Sequence, residues 1–213
     1  MGRIAITPGA HRVLSLAAAA ALAAALVIAP AATPFSTPPL IPSASAACPD
    51  VEVVFARGRQ EPPGVGAVGD ALVNSLRSKV GMLVGVYGVN YPADLSASSG
   101  ADDIGAHVQS MASSCPNTRM VIGGYSLGAT AADLAARAKL PPGVAQHVAA
   151  VALFGNAAKR LGPAPAFAGR TIDQCADGDP ICGRGLNWPS HLQPSYLGSG
   201  LVDQAASFIA GKL

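Results

Sequence analysis

Ser126 lies in Gly124-Tyr125-Ser126-Leu127-Gly128, a G-x-S-x-G pentapeptide between the apolar run Met120-Val121-Ile122 and an alanine-rich stretch from Ala129 to Ala138. A serine hydroxyl is a weak nucleophile until a base takes its proton. On a sharp strand-to-helix turn, with glycines where a Cβ would collide, it becomes exposed to such a base. In a chain with 24 glycines the pentapeptide alone is a weak signal. Its setting, a strand before and a helix after, is what gives it weight. Tyr125 is expected to pack under this turn rather than to react.

The base is found by elimination among four histidines. On this kind of turn the chain order is Ser, then acid, then His. His11 falls in the leading apolar segment and His107 precedes the serine. His147 follows it, but the one acid between them, Asp133, belongs to the nucleophile's own helix. His191 alone has acids upstream in loop-like sequence, namely Asp173, Asp177 and Asp179. The chemistry this implies is acyl transfer: Ser126 attacks, His191 takes the proton, and a carboxylate orients and charges the imidazole. Asp177 and Asp179 both lie between Cys175 and Cys182, where a disulfide would stiffen an acid-bearing loop. Spacing does not choose between them.

The elements that position these residues alternate. Val51 to Phe55, Val84 to Val89, Arg119 to Gly123, Val148 to Phe154 and Arg170 to Ile172 read as strands. Asp70 to Val80, Asp102 to Ser114, Ala129 to Ala138 and Leu201 to Ile209 have helical spacing. This alternation predicts a single α/β domain whose parallel sheet carries helices on both faces.

Residues 1–46 read as an export signal followed by a Pro/Ser-rich linker, leaving a domain over 47–213. Arg3 and Arg12 precede the apolar run Val13 to Ile28, and A-x-A patterns follow at Ala29-Pro30-Ala31 and Ala44-Ser45-Ala46. The run is shorter than the roughly 20 residues that cross a bilayer, so no stable span is expected after cleavage. Without Arg3 and Arg12, the 14 basic residues become 12 and balance the 12 acidic ones. A neutral domain lacks the basic footprint of a nucleic-acid partner. The even set Cys48, Cys115, Cys175 and Cys182 suits two disulfides in an exported chain, with three pairings possible. With no C-x-x-C and no nearby His pair, zinc is not expected.

Three motifs carry a family resemblance. Val53-Val54-Phe55-Ala56-Arg57-Gly58 with Glu61, Gly124-Tyr125-Ser126-Leu127-Gly128-Ala129, and Cys175-Ala176-Asp177-Gly178-Asp179-Pro180-Ile181-Cys182 followed by His191 resemble the cutinase family, in particular its actinobacterial branch of secreted cutinase-like esterases. The resemblance spans about 48–213. It implies a minimal, lidless α/β-hydrolase with a five-stranded, largely parallel sheet. It also implies disulfides Cys48–Cys115 and Cys175–Cys182, Asp179 as the acid with Asp177 as runner-up, and an oxyanion hole of the backbone N–H groups of Arg59 and Leu127. Two positions depart from the family pattern: Arg59 stands where Ser or Thr is usual, and Leu127 where Gln is usual. The backbone donors survive both changes, but a hydroxyl donor is lost. Single oxyanion donors are worth roughly 3–4 kcal/mol in the best-studied case, so activity is expected to persist at reduced rate.

Loops Pro92 to Ser98 and Gly183 to Pro189 would form the lips of the site, with Leu95, Leu186 and Trp188 as apolar contacts for an acyl chain. Trp188 has a second reading, packing beneath His191. The implied activity is hydrolysis of short- to medium-chain carboxylic esters, lipids or phospholipids among them, by a secreted or envelope-associated monomer without cofactor or metal. An acyltransferase would share the first half-reaction. A secreted binding protein that keeps the fold without catalysis is the rival of a different class.

Overall fold

The structure, a computed structural model, describes residues 48–213; the segment read as export signal and linker lies outside them. Strand β1 (Val51–Ala56) leads to helix α1 (Gly66–Lys79), β2 (Val84–Gly88), α2 (Ser98–Ser114), β3 (Arg119–Tyr125) and α3 (Leu127–Ala138). Then come the short α4 (Pro142–Ala145), β4 (Val148–Phe154), β5 (Thr171–Gln174), α5 (Gln193–Leu197) and α6 (Leu201–Ala210). The five strands form one sheet in the order β2-β1-β3-β4-β5, and every pairing is parallel.

Both faces of the sheet are covered, which is why β1 and β4 are apolar at nearly every position and buried throughout. On one face Val54, Ile122 and Val151 pack with Ile104 and Val108 of α2 and the alanines of α3. On the other, Val53, Phe55 and Phe154 pack with Leu72 and Leu76 of α1 and with Ala205 and Ile209 of α6. The small residues of α3 let it lie close to the sheet. A Cβ on Gly128 would strike the Ala56 carbonyl, and one on Gly124 the Gly128 carbonyl.

Helical periodicity placed the starts of α1 and α2 one turn late, at Asp70 and Asp102. The preceding turns, such as Ser98-Ser99-Gly100-Ala101, are small and polar and carry no apolar repeat. Helices α4 and α5, of four and five residues, are too short to show a repeat at all.

Cys48–Cys115 ties the chain ahead of β1 to the end of α2, and Cys175–Cys182 closes the loop after β5. From β1 the chain moves outward to β2, then crosses back to place β3 on the other side of β1. That reversal opens a crevice at the carboxyl ends of β1 and β3, where open α/β sheets bind ligands. Gly58 to Glu61 leave one lip of it and Ser126 the other.

Candidate active site

Ser126 joins β3 to α3 with φ 56° and ψ −116°. A non-glycine residue at positive φ costs about 1–3 kcal/mol, and the surroundings must hold it there. Its N–H donates to the Phe154 carbonyl at 2.8 Å, pinning the turn to β4. The turn directs Ser126 Oγ at His191 Nε2, 2.8 Å away, and His191 Nδ1 lies 2.7 Å from Asp179 Oδ2. An ionised carboxylate only accepts, so Nδ1 carries the ring proton and Nε2 is left to accept from the serine.

Asp179 is fully buried, and the disulfide-closed loop surrounds it with donors. Tyr196 Oη donates to Oδ2 at 2.5 Å, while the N–H groups of Ile181 and Cys182 donate to Oδ1 at 2.7 and 3.3 Å. Burial alone would raise its pKa. The bonds from Tyr196, His191 and Ile181 outweigh that and hold Asp179 below the ordinary carboxylate value. The same burial, and the bond to Asp179, push the Tyr196 hydroxyl up, so it stays a donor.

The two other acids are elsewhere. Asp177 is exposed on the outside of the loop. Asp173, on β5, accepts from Asn156 Nδ2 at 3.0 Å and lies 3.6 Å from Lys159 Nζ. Its pKa is raised, because burial outweighs those two partners. His107 pairs with Glu52 at 2.8 Å beneath a stacked Tyr87 ring, well removed in sequence and fold from the β3 elbow.

Tyr125 is buried under the elbow, as its position in the pentapeptide suggested, and its hydroxyl donates to the His191 carbonyl at 2.5 Å. Neither Tyr196 nor this Tyr125 bond was anticipated. Tyr196 is one aromatic in a five-residue helix, and no spacing relates it to Asp179.

The N–H groups of Arg59 and Leu127 have no acceptor among the described residues. Both residues line, with Ser126, a recess of about 230 Å³ that also includes Thr130, Ala157, Ile181 and Trp188. The loop carrying Arg59 is held from both ends. Buried Arg57 donates to the carbonyls of Glu61 at 2.8 Å and Tyr91 at 2.7 Å, and its guanidinium lies 5.1 Å over the Tyr91 ring. Burial pushes the Tyr91 phenol up to about 12 against the Arg57 charge.

The Glu61 carboxylate accepts from Gly58 N–H at 2.5 Å, Ala67 N–H at 3.1 Å and Gln193 Nε2 at 2.5 Å. One side chain thus joins the Arg59 loop, the start of α1 and the segment two residues beyond His191. Gly66, at φ 69°, is required here, since a Cβ would collide with that carboxylate.

A second cleft beside Ser126, of about 560 Å³, is bounded by Arg59, Gln60, Gln193, His191, Trp188 and Leu192. Trp188 lines each cleft, and its ring centre is 5.4 Å from that of His191. Leu95 and Leu186 are 81% and 97% exposed and line neither cleft. They stand on loop crests, and the apolar lining comes from Ile181, Ala157 and Leu192 instead.

A parallel sheet with a strained serine elbow at its carboxyl edge, a following acid and then a histidine define an α/β-hydrolase fold. The family model described as "Cutinase" matches residues 47–213. The chain is 52% identical to "Probable carboxylesterase Culp2" of Mycobacterium tuberculosis over 95% of its length and 96% of that protein. It is 47% identical to "Phospholipase Culp4" of the same species, covering 96% of this chain and 93% of the relative. The solved Trichoderma reesei cutinase, in complex with a phosphonate inhibitor, superposes with a TM-score of 0.67 at 33% identity, covering 77% of this chain and 76% of that one. The chain belongs to the cutinase family. As a member it is a carboxylic-ester hydrolase.

Proposed function

We propose that the chain is an exported serine esterase that cleaves short- to medium-chain acyl esters, lipids and phospholipids included, through an acyl-enzyme. Ser126 Oγ adds to the ester carbonyl as its proton passes to His191 Nε2. Asp179 holds the imidazole in the accepting tautomer and stabilises the imidazolium. The Arg59 and Leu127 N–H groups take the oxyanion as it forms. His191 then returns the proton to the leaving alcohol, and water activated by the same nitrogen releases the acyl group. The observation that carries this reading is the unbroken line from Ser126 Oγ through His191 to buried Asp179, with contacts of 2.8 and 2.7 Å.

Residues 1–46 are proposed to direct export and be removed, leaving 47–213 as the working domain. Two disulfides in that domain support an oxidising destination. A relative named a phospholipase supports lipid esters as part of the range. The test is hydrolysis of p-nitrophenyl esters of graded acyl length by the oxidised domain beside Ser126→Ala. Turnover that vanishes in the variant is expected, with the length profile sizing the apolar recess. Equal turnover by both proteins would overturn the assignment of the nucleophile.

A further inference from the structure

We infer that the Arg59 guanidinium binds an anion on the alcohol side of the substrate, so that the enzyme prefers esters whose leaving group carries a phosphate or carboxylate near the scissile oxygen. This rests on the reading of Ser126, His191 and Asp179 given above and assigns a substrate class to that same site.

The first observation is that the charge is unspent. Of the described arginines, only Arg59 and Arg184 make no side-chain hydrogen bond or ion pair among the described residues, and Arg184 lines neither cleft at Ser126. Arg59 lines both. An idle guanidinium on a protein surface is ordinary. One on a residue that borders the reaction centre changes what that opening attracts.

The second observation is that the two clefts differ in chemistry. The smaller recess, with Leu127, Ala157, Ile181 and Trp188, suits a hydrocarbon chain. The larger is lined by Gln60, Gln193 and His191 as well as by Trp188 and Leu192, and by no acidic residue. His191 borders both clefts, so the leaving oxygen can meet Nε2 from either; the apolar lining of the smaller recess takes the acyl chain and leaves the larger cleft to the alcohol. There Arg59 is the one permanently charged group, and its planar fork matches phosphate and carboxylate oxygens.

The nearby acids stand outside both clefts at Ser126. Glu61 and Asp70 line with Arg59 the adjoining groove, and neither forms an ion pair with it within 4.0 Å. Asp94 feels the Arg59 charge, but it is exposed, bonds to the Leu95 N–H, and forms no ion pair with Arg59 within 4.0 Å.

The experiment compares butyryl esters that share an acyl group and differ in the alcohol. One pair is 4-butyryloxybenzoate against 4-butyryloxybenzamide. The other is 1-butyrylglycerol 3-phosphate against 1-butyrylglycerol, followed by pH-stat. For each pair, the ratio of kcat/KM for the anionic over the neutral ester is measured for wild type, Arg59→Ser and Arg59→Lys. Any change in oxyanion stabilisation common to both esters cancels in the ratio. The ratio is expected to fall roughly tenfold or more in Arg59→Ser, the worth of one charge-assisted hydrogen bond. Arg59→Lys should recover part of it, and added salt should lower the wild-type ratio. A fall in only one pair would identify the anion as carboxylate or phosphate. A ratio unmoved by Arg59→Ser in both pairs would overturn the inference while leaving the esterase reading intact. Absence of wild-type turnover on all four esters would refute the site reading and this inference with it.

Discussion

Replacing Asp179 by Asn tests the site at its least exposed point. Asp179 Oδ1 is held by the N–H groups of Ile181 and Cys182, so the asparagine oxygen must stay there and its NH₂ must take the place of Oδ2. The NH₂ can only donate. His191 Nδ1 must then accept, which moves the ring proton to Nε2, where it faces Ser126 Oγ and cannot take a proton from it. The fold is retained, because Tyr196 can turn its hydroxyl to accept. In the worked serine–histidine–aspartate template, this tautomer error lowers kcat about 10⁴-fold, or about 5.4 kcal/mol of transition-state stabilisation. The assay is steady-state hydrolysis of p-nitrophenyl butyrate together with the rate of Ser126 labelling by a fluorophosphonate, and both should fall. Asp177→Asn, on the outside of the same loop, should leave both within about twofold, as surface changes usually do. Asp179→Asn with more than a tenth of wild-type activity, or an equal loss in Asp177→Asn, would refute the reasoning.

The lowered pKa of Asp179 also has a consequence for stability. The stabilisation is present above the unfolded-state value and lost as pH falls through the folded one, so denaturant midpoints of wild type should drop on acidification more than those of Asp179→Asn. Asp173 has the opposite sign: burial raises its pKa, so its ionisation costs the fold, and Asp173→Asn should gain stability relative to wild type as pH rises through the carboxylate range. Urea titrations at several pH values measure both, and an Asp173→Asn difference that does not change with pH would count against this account.

Glu61→Gln sets an amide NH₂ against donors that converge on both carboxylate oxygens; if the Arg59 loop supplies an oxyanion donor as proposed, kcat on neutral esters should fall about tenfold with KM nearly constant, since that loop rather than the binding clefts is loosened. An effect confined to thermal stability would show that Glu61 only braces the fold. Removing Cys175 and Cys182 together as alanines should cost about 2–3 kcal/mol in the chain-entropy model and lower activity further by freeing the Asp179 loop. Activity that tracks only the folded fraction would separate those two effects.

Much of the architecture was legible because it rests on local regularities. Parallel strands covered on both faces are apolar at most positions, and β1, β3 and β4 read that way. The elbow was visible because a tight strand-to-helix turn demands Gly124 and Gly128 on either side of Ser126. His191 followed from chain order and a short list of histidines. Asp179 was separated from Asp177 only by family resemblance, since two residues of a loop give no periodicity to decide which faces inward.

Sequence by itself determined the sheet and the elbow, because each is written in residues that are neighbours or repeat at a fixed interval, and chain order singled out His191 as the candidate base. Tertiary structure brought Asp179, the acid the resemblance implied, to His191, and it alone decided that Tyr196 and Tyr125 anchor that pair, that Glu61 joins the Arg59 loop to Gln193, and that Leu95 and Leu186 stay outside the clefts. Those contacts join segments up to 132 residues apart. Their partners are chosen by where the packed helices and loops leave a side chain pointing, and no interval along the chain encodes that direction.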